Sequence, residues 1–397
     1  RYEEASVHLA RAAELRAAAG LADTRQALTT RHNAAAAFLS SGERVKARQL
    51  LVEVQADRAR VLGPGDSDTL ATQSLLAQVM QLDGERDQAL EVYRKTYEAQ
   101  RTAIGAKARE TLETLASITD VLQDLGRYEE ADASAKALIA DATAAEGPDG
   151  ATTIEAMSIR ASILMDFGKL AESEALAREV LAKRRRVLGE EHSQTLTAEN
   201  ALGLTLMDMN RFDEAAAVLL HASTSAERVL GPRHSVTLTY FTNLGRALQN
   251  QKKPAEAEAV FRKVLEAREE TEGAEGQPTA AVLNNLGTVL LDQNKPAEAE
   301  PMFRRVISIV DRVMPETHWI RGRARINLAD SLADQGRFEP AEVAMLEGWA
   351  LLDKALPQGN VRRQAAAVSL AEIYKKWGKA EKESVWRTQA TAEQPAK

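Results

Sequence analysis

The stretch RVLGPRHSVTLTYFTNLG, residues 228–245, decides the fold, because RVLGEEHSQTLTAENALG stands 42 residues earlier, at 186–203. The same spacing relates the segments LGPGDSDTL at 62–70, IGAKARETL at 104–112 and EGPDGATTI at 146–154. A fixed period of 20–50 residues is the signature of a repeat architecture. We therefore interpret the chain as an array of similar units.

Two further positions recur in every unit and indicate what the unit is. The first is always small, which lets two helices approach closely, and the second, seven residues later, is Gly or Asn in all units but one. Gly and Asn tolerate the left-handed conformation that ends a helix. The small residues are Ala35, Ala77, Thr119, Ala161, Gly203, Gly245, Gly287, Ala329 and Ala371. The helix-ending residues are Gly42, Gly84, Gly126, Gly168, Asn210, Lys252, Asn294, Gly336 and Gly378.

Each unit is predicted to be a helical hairpin, a shorter helix A followed by a tight turn and a longer helix B. Apolar residues recur at helical spacing, and no alternating strand pattern occurs. We expect an all-α protein, a right-handed α-solenoid of nine hairpins after a half repeat at 1–20, with a disordered tail at 391–397. Helix A is predicted to start near residues 27, 69, 111, 153, 195, 237, 279, 321 and 363.

The segment NLGTVLLDQNKPAEAEPMF, residues 285–303, resembles the tetratricopeptide repeat, with a small residue after Leu on helix A and Ala-x3-Phe on helix B. HEAT and armadillo units have similar lengths, but these two signatures favour the tetratricopeptide repeat. The period of 42 resembles the longer, kinesin-light-chain-like variety. That variety often has Pro after the loop His, where this chain has Ser193, Ser235 and Trp319, and we expect Ser to cap helix A instead.

The two ends carry weaker resemblances. The opening RYEEA is similar to the start of helix B in GRYEEA at 126–131, which predicts that the chain begins within a repeat and is part of a longer protein. The closing EIYKKWGKAEKESVW, residues 372–386, resembles the final repeats of large bacterial proteins that carry a Ser/Thr kinase domain ahead of such an array. This resemblance implies the C-terminal region of a bacterial kinase-associated protein.

Composition excludes several classes of protein. The chain has 397 residues, a formal net charge of −7 and no Cys, so a disulfide framework and Cys-ligated zinc are excluded. Charges of both signs are interleaved, which argues against a nucleic-acid binder. No apolar run approaches the roughly 18 residues of a membrane span. We expect a cytoplasmic protein without membrane insertion, nucleic acid, metal or other cofactor, and the oligomeric state stays open.

Asparagine recurs just before the Leu-Gly step of helix A, although it is a poor residue for a helix interior. In tetratricopeptide arrays helix A lines the concave face, and the resemblance implies that Asn there clamps the backbone of a bound peptide. An alternative stays open, in which each Asn bonds the neighbouring repeat. The predicted peptide-binding residues are Asn200, Asn243, Asn284, Asn285 and Asn327, with Arg246, Gln249, Asn250 and Thr288 beside them.

Three other patterns invite a functional interpretation that we do not favour. His192, His234 and His318 are too far apart to share one metal ion, because repeats are separated by about two helix-packing distances of 8–10 Å. We expect these histidines to pack and cap the loops. All four Trp residues follow residue 318. They could form an exposed anchor patch, but we favour a polar end cap of the array, which includes Glu383 and Arg387.

The third pattern is an acidic position that ends helix A. It could present a ladder to a cationic partner, but a basic residue follows three positions later, so we favour local ion pairs. The acidic residues are Asp124, Asp166, Asp208, Asp292 and Asp334, and the basic ones are Arg127, Lys169, Arg211, Lys295 and Arg337.

The sequence predicts a protein–protein interaction scaffold whose groove binds an extended or helical peptide segment of a partner. The alternative is a structural spacer or oligomerisation array attached to a catalytic domain. We expect no enzyme, because nucleotide-binding, nucleophile-elbow and zinc-protease motifs are absent.

Overall fold

A computed structural model describes residues 8–9, 11–12, 15–16 and 18–393, and the chain divides after Gly189 into two compact units. Each unit consists of helices in chain order. The first unit contains α1 Arg25–Ser40, α2 Arg44–Val61, α3 Ser67–Leu82, α4 Arg86–Ala103, α5 Arg109–Asp124, α6 Tyr128–Glu146, α7 Ala151–Asp166 and α8 Leu170–Leu188. The second contains α9 Ser193–Asp208, α10 Phe212–Leu230, α11 Ser235–Asn250, α12 Pro254–Glu272, α13 Gln277–Asp292, α14 Pro296–Val313, α15 Ile320–Asp334, α16 Phe338–Ala355, α17 Val361–Lys376 and α18 Ala380–Ala392.

The predicted all-α solenoid of stacked hairpins is confirmed. Odd-numbered helices are helix A of each repeat and even-numbered ones helix B, and the described residues contain no strand. Helix A has 15 or 16 residues and helix B 18 or 19, apart from the final α18 with 13. The first helix A begins at Arg25 where the sequence predicted 27, and the same early start, by one or two residues, recurs in every repeat.

The ends of the chain differ from expectation where they can be compared. Most of the half repeat expected at 1–20, with its opening RYEEA, lies outside the described residues. Helix α18 runs to Ala392, and Glu393 is fully buried with its carboxylate 2.6 Å from Arg363 Nη2. Residues 391–393 are therefore part of the fold instead of the expected tail, and 394–397 lie outside the described part.

The turn between helices A and B has the predicted left-handed cap. Gly126 has φ 70°, and the following N–H of Arg127 donates to Leu122 O at 2.9 Å. This six-to-one hydrogen bond is the one that closes a Schellman motif. In the second unit the same position is occupied by Asn210 at φ 58° and by Lys252 at φ 62°. Lys252 accepts a conformation that L side chains other than Asn and Asp rarely adopt.

The small position on helix A lies against helix B of the same hairpin. A Cβ added to Gly245 would lie 2.6 Å from the Phe261 ring, and one added to Gly287 would lie 2.6 Å from the Phe303 ring. Both rings are fully buried. Gly is therefore required at these two positions because its backbone is in contact with an aromatic ring.

The loop histidines cap helix A, as expected. His192 Nδ1 accepts the N–H of Gln194 at 3.2 Å, and His234 Nδ1 accepts that of Val236 at 3.3 Å. The expectation that Ser would supply the cap is wrong, because Ser193 is already the first residue of its helix and His192 precedes it. The His side chain thus satisfies a donor that the helix leaves unpaired.

Candidate functional site

The 42-residue period places the asparagines at two adjacent repeat positions on the A helices of the second unit, Asn200 and Asn284 at the first and Asn243, Asn285 and Asn327 at the second. Asn200 lies on α9, Asn243 on α11, Asn284 and Asn285 on α13, and Asn327 on α15. Helices α9 and α11, α11 and α13, and α13 and α15 are in contact. The five amides therefore form a row across neighbouring A helices, which we call the asparagine row.

Two hydrogen bonds in the asparagine row join adjacent repeats. Asn243 Nδ2 donates to Asn200 Oδ1 at 2.9 Å, and Asn327 Nδ2 donates to Asn284 Oδ1 at 2.7 Å. The donor residues are buried, Asn243 with 9% and Asn327 with 3% of its surface exposed. At these positions the geometry fits the bridging alternative. Each bond stabilises the array by roughly 0.5–1.5 kcal/mol.

Asn285 differs from Asn243 and Asn327, although it has the same place in its repeat. It is half-buried, and within the described part of the chain its side-chain amide bonds no other residue. The reason lies in the preceding A helix, where Thr242 occupies the position that Asn200 and Asn284 have in the bridged pairs. The Thr242 hydroxyl donates to Leu238 O of its own helix at 2.7 Å. The side-chain donors and acceptor of Asn285 are therefore left unpaired among the described residues.

The flanking residues divide into bound and exposed ones. Gln249 Nε2 donates to Asp292 Oδ2 at 2.7 Å, so this amide joins two repeats. Thr288 donates to Asn285 O at 2.8 Å and stays on its own helix. Arg246 and Asn250 are exposed, and Arg246 Nη1 lies 3.5 Å from Asn243 Oδ1. Such a distance is too long for a strong hydrogen bond.

The acidic position that ends helix A has partners in other repeats. In three repeats its carboxylate accepts from a Gln of the preceding A helix, and Asp334 accepts from Lys376 of the following one. The Gln pairs are Gln81–Asp124 at 3.2 Å, Gln123–Asp166 at 2.6 Å and Gln249–Asp292 at 2.7 Å. The expected local ion pair is wrong at these positions, because the stacked helix offers a nearer donor.

Four of the five basic residues of the expected pairs bind glutamates instead, and Lys169 lies over the Phe167 ring. Arg127 donates to Glu130 within its own helix B region at 2.7 Å, and Lys295 donates to Glu258 of the preceding repeat at 3.0 Å. Burial tends to raise the pKa of Glu258, but hydrogen bonds from Lys295, Arg262 and Gln293 lower it to about 2. As an anion, Glu258 therefore stabilises the contact between its own repeat and the next.

The tryptophans pack within the last repeats. Trp349 and Trp386 meet edge to face with ring centroids 5.0 Å apart, and Trp377 stacks on Phe338 at 5.6 Å. The guanidinium of Arg362 lies 4.4 Å from the Trp319 ring centre. All four indoles are half-buried. This packing fits the end-cap interpretation better than an exposed anchor patch.

Within the described ranges, no cluster of three or more His, Asp or Glu side chains is placed to hold a metal ion. Across the same ranges, no helix is long and apolar enough to cross a membrane.

Stacked helical hairpins with a row of polar side chains on their A helices define an all-α repeat protein. The sequence agrees, because segments 68–144, 152–228, 194–270, 236–312 and 278–348 match the tetratricopeptide repeat family. The chain belongs to this family, and its array has the 42-residue period of the kinesin-light-chain-like variety. The family is typically non-catalytic. No curated protein matches the sequence.

Solved structures share the architecture. The apo form of the quorum sensor NprR from B. thuringiensis is 10% identical with a TM-score of 0.59, covering 92% of this chain and 98% of that one. A Rap protein complexed with Competence and Sporulation Factor is 13% identical with a TM-score of 0.57, covering 92% and 97%. A putative kinesin light chain from Podosopora anserina is 20% identical with a TM-score of 0.46, covering 51% and 95%. At these identities the likeness concerns the fold.

Proposed function

We propose that this protein is a cytoplasmic, non-catalytic scaffold for protein–protein interaction, and that the A-helix face of its second unit binds an extended or helical peptide segment of a partner. The observation that carries the proposal is Asn285, a half-buried amide with no side-chain bond to the described protein, between two bridged pairs. The array would act as the targeting or regulatory part of a larger protein.

Asn285 has the chemistry to grip a peptide without reading its sequence. Its amide offers two donors and one acceptor, which complement the C=O and N–H of a peptide unit. The bridged pairs on either side hold their own amides in place, so the surface around Asn285 is fixed before a peptide arrives, and this preorganisation lowers the entropy lost on binding. The exposed Arg246 and Asn250 would then contact the peptide beyond the row.

The structural neighbours supply an analogy at the level of the fold. NprR is described as a quorum sensor, and the Rap protein is complexed with Competence and Sporulation Factor. Both share the helical-repeat architecture over most of this chain. Binding of a partner by an A-helix face is in keeping with the long surfaces that solenoids expose.

The test selects peptides from a random displayed library on the complete chain and measures the affinity of the selected peptide for two variants. Asn285→Ala should weaken binding about two- to thirteen-fold, the equivalent of one hydrogen bond. Asn243→Ala is the matched control, with the same residue type at the same place in the repeat. It should lower the free energy of unfolding and leave the affinity per folded molecule nearly unchanged. Equal affinities of wild type and Asn285→Ala would contradict the proposal.

The structural-spacer alternative has its own outcome. Self-association in sedimentation, together with a library that yields no binder, would replace peptide binding by a spacing or oligomerising role. The resemblance of the closing segment to kinase-associated arrays suggests a Ser/Thr kinase as the larger protein. The coding sequence upstream of Arg1 tests this directly.

A further inference from the structure

The first unit contains an open cavity with a volume of about 600 Å³, lined mainly by the A helices α1, α3 and α5. Gln100, from the B helix α4, contributes to its wall. The repeat that precedes Gln100 shows how the chain itself uses the equivalent space, because Arg58 stands 42 residues before it.

The Arg58 guanidinium is buried, with 1% of the residue exposed, and it lies between two A helices. Its Nη1 donates to Asp68 O at 2.6 Å and to Thr72 Oγ1 at 2.7 Å on the A helix of the next repeat. Its Nη2 is 3.2 Å from Thr29 Oγ1 on the A helix of its own repeat. Three acceptors on two helices thus hold one guanidinium.

The contact with the A helix of the same hairpin recurs where the repeat position is again arginine. Arg184 Nη2 donates to Glu155 Oε2 at 2.6 Å within the first unit, and Arg268 Nη2 is 3.3 Å from Thr239 Oγ1 within the second. Glu155 and Thr239 occupy the repeat position of Thr29. Three repeats of this chain therefore place a guanidinium against the A helix of their own hairpin.

At Gln100 the guanidinium is missing but its acceptors remain. Glu110 and Thr114 are the counterparts of Asp68 and Thr72, and both line the cavity. The Thr114 hydroxyl donates to Glu110 O at 3.0 Å, just as Thr72 donates to Asp68 O at 2.9 Å. Among the described residues no arginine is hydrogen-bonded to either oxygen, and Thr114 Oγ1 has the hydroxyl of Ser74 at 3.4 Å.

Gln100 adds an acceptor of its own. Only 3% of the residue is exposed, and its Oε1 is buried without a hydrogen-bond partner. A buried acceptor left unpaired costs about 1–3 kcal/mol. Since Gln100 lines the cavity, a donor placed there would recover this energy.

Charge at the cavity favours a cation. Glu110, Glu113 and Asp120 line it with exposed carboxylates. Glu113 pairs with Arg109 at 2.8 Å, and Asp120 accepts from the neutral Gln81 at 2.8 Å. Three carboxylates therefore line the cavity, and the cations nearby are Arg109, which pairs with Glu113, and the buried Arg58 beside His32.

The histidine at the edge of the cavity does not oppose a cation at neutral pH. Burial, and then the charge of Arg58, lower the pKa of His32 to about 4. The neutral ring lies with its Nδ1 3.3 Å from Thr72 Oγ1.

We propose that this cavity binds the guanidinium of an arginine side chain on a partner's peptide, in the place that Arg58 fills in the preceding repeat. The guanidinium would donate to Thr114 Oγ1, Glu110 O and Gln100 Oε1, with the acidic rim compensating its charge. Arginine is the side chain whose planar fork of five donors suits several fixed acceptors at once. This proposal goes beyond peptide binding at the asparagine row, because it uses other residues in the other unit.

The test measures the affinity of the complete chain for N-terminally fluorescein-labelled hexa-arginine by fluorescence anisotropy at about 150 mM salt, where long-range charge effects are screened. Hexa-citrulline, of the same shape without charge, and hexa-lysine serve as comparison probes. Gln100→Arg should fill the cavity with the chain's own guanidinium and weaken hexa-arginine binding at least ten-fold. Gln88→Arg adds the same charge at an exposed position of the same helix and should change the affinity less than about three-fold.

A second variant keeps the test decisive should Gln100→Arg fail to fold, as a thermal melt would reveal. Thr114→Val keeps the shape and removes an acceptor, and it should weaken binding about two- to thirteen-fold. Equal losses in Gln100→Arg and Gln88→Arg, equal binding of hexa-lysine or hexa-citrulline, or no effect of Thr114→Val would overturn the proposal. Gln100→Arg and Thr114→Val change residues of the first unit, whereas the asparagine row is tested by Asn285→Ala with the library-selected peptide, so failure here is distinguishable from failure at the asparagine row.

Discussion

The A-helix faces of the two units present different polar groups, although both units are built from the same 42-residue repeat. In the first unit the face surrounds an open cavity with acceptors, among them Glu110, Thr114 and the unpaired Gln100 Oε1. In the second unit the face carries amides, which both donate and accept. Two pairs of them are hydrogen-bonded between repeats, and within the described part of the chain the Asn285 side chain has no such bond. The difference teaches that the positions facing a neighbouring helix are alike in both units because they define the fold, whereas the open face varies between the units.

The largest expected effect is on the free energy of unfolding, and it distinguishes a position that faces the neighbouring helix from an exposed one on the same helix. Gly287→Val would drive its side chain into the Phe303 ring, which already lies 2.6 Å from the position of a Cβ. Overpacking of this kind lowers the free energy of unfolding by about 3 kcal/mol. Ala281→Val, at an exposed position of the same helix, should lower it by less than about 0.7 kcal/mol. Urea unfolding of both variants gives the comparison, and similar losses would show that the inward position is not specially constrained.

The next effect is the pH dependence of stability that arises from a carboxylate. This carboxylate occupies the same repeat position in a hairpin of each unit. Glu258 has a pKa lowered to about 2, and Asp132, its counterpart in the first unit, also has a lowered pKa. Burial opposes both shifts, and bonds from Lys295 or from Arg160 of the next repeat contribute to them. A lowered pKa gives stability that is present above the unfolded value near 4.5 and is lost as pH falls toward 2.

Glu258→Gln should therefore lower stability at pH 7 by about 1–3 kcal/mol and flatten its decline between about pH 4.5 and 2. Asp132→Asn should act in the same direction. Thermal melts across this pH range test both. The stabilising role of the Glu258 carboxylate would be ruled out if the wild-type melting temperature did not fall with pH, or if it fell as steeply in Glu258→Gln as in the wild type.

A smaller effect on stability distinguishes the bridged residues of the asparagine row from Asn285. Asn243→Ala and Asn327→Ala each remove a bond between repeats and should lower the free energy of unfolding by about 0.5–1.5 kcal/mol. Asn285→Ala removes no bond within the described protein and replaces Asn by the better helix former, so its stability should be equal or slightly higher. Denaturant unfolding of the three variants side by side measures this. A loss in Asn285→Ala as large as in the other two would mean that Asn285 is also structural.

The smallest effect compares the turns. Every hairpin of the first unit has Gly at the left-handed cap, whereas Lys252 adopts φ 62° in the second. Lys252→Gly should relieve this conformation and stabilise the protein by about 1 kcal/mol, and Gly126→Ala should destabilise it by a similar amount. Melting temperatures that move in the same direction for both variants would contradict this account of the turns.

Much of the fold could be predicted because its determinants repeat every 42 residues. The small residue that faces helix B, such as Gly287 against Phe303, and the left-handed cap, such as Gly126, are each visible as a restricted set of residue types at one repeat position. Nine repetitions separate such a signal from chance. The helix starts were predicted one or two residues late in every repeat, and in two repeats the reason is visible, because His192 and His234 cap the helix and the following Ser is already its first residue.

The candidate site could be predicted only in part, because the decisive contacts join different repeats. The row of Asn was visible, but the freedom of Asn285 depends on Thr242, which lies 43 residues earlier on the adjacent helix. The same offset joins Gln249 to Asp292, which a rule for neighbours on one helix does not consider. The Gln100 cavity was missed, although its signal, a Gln where Arg58 and Arg184 stand in other repeats, was present in the sequence.

The measurement that tests the central claim most directly is hydrogen exchange of the complete chain with and without its selected peptide, repeated on Asn285→Ala. If the open A-helix face sets the partner, new protection should be concentrated on α11, α13 and α15, and Asn285→Ala should require about two- to thirteen-fold more peptide to reach it. Protection centred on the B helices α12 and α14, or the same peptide requirement in the variant, would contradict the claim.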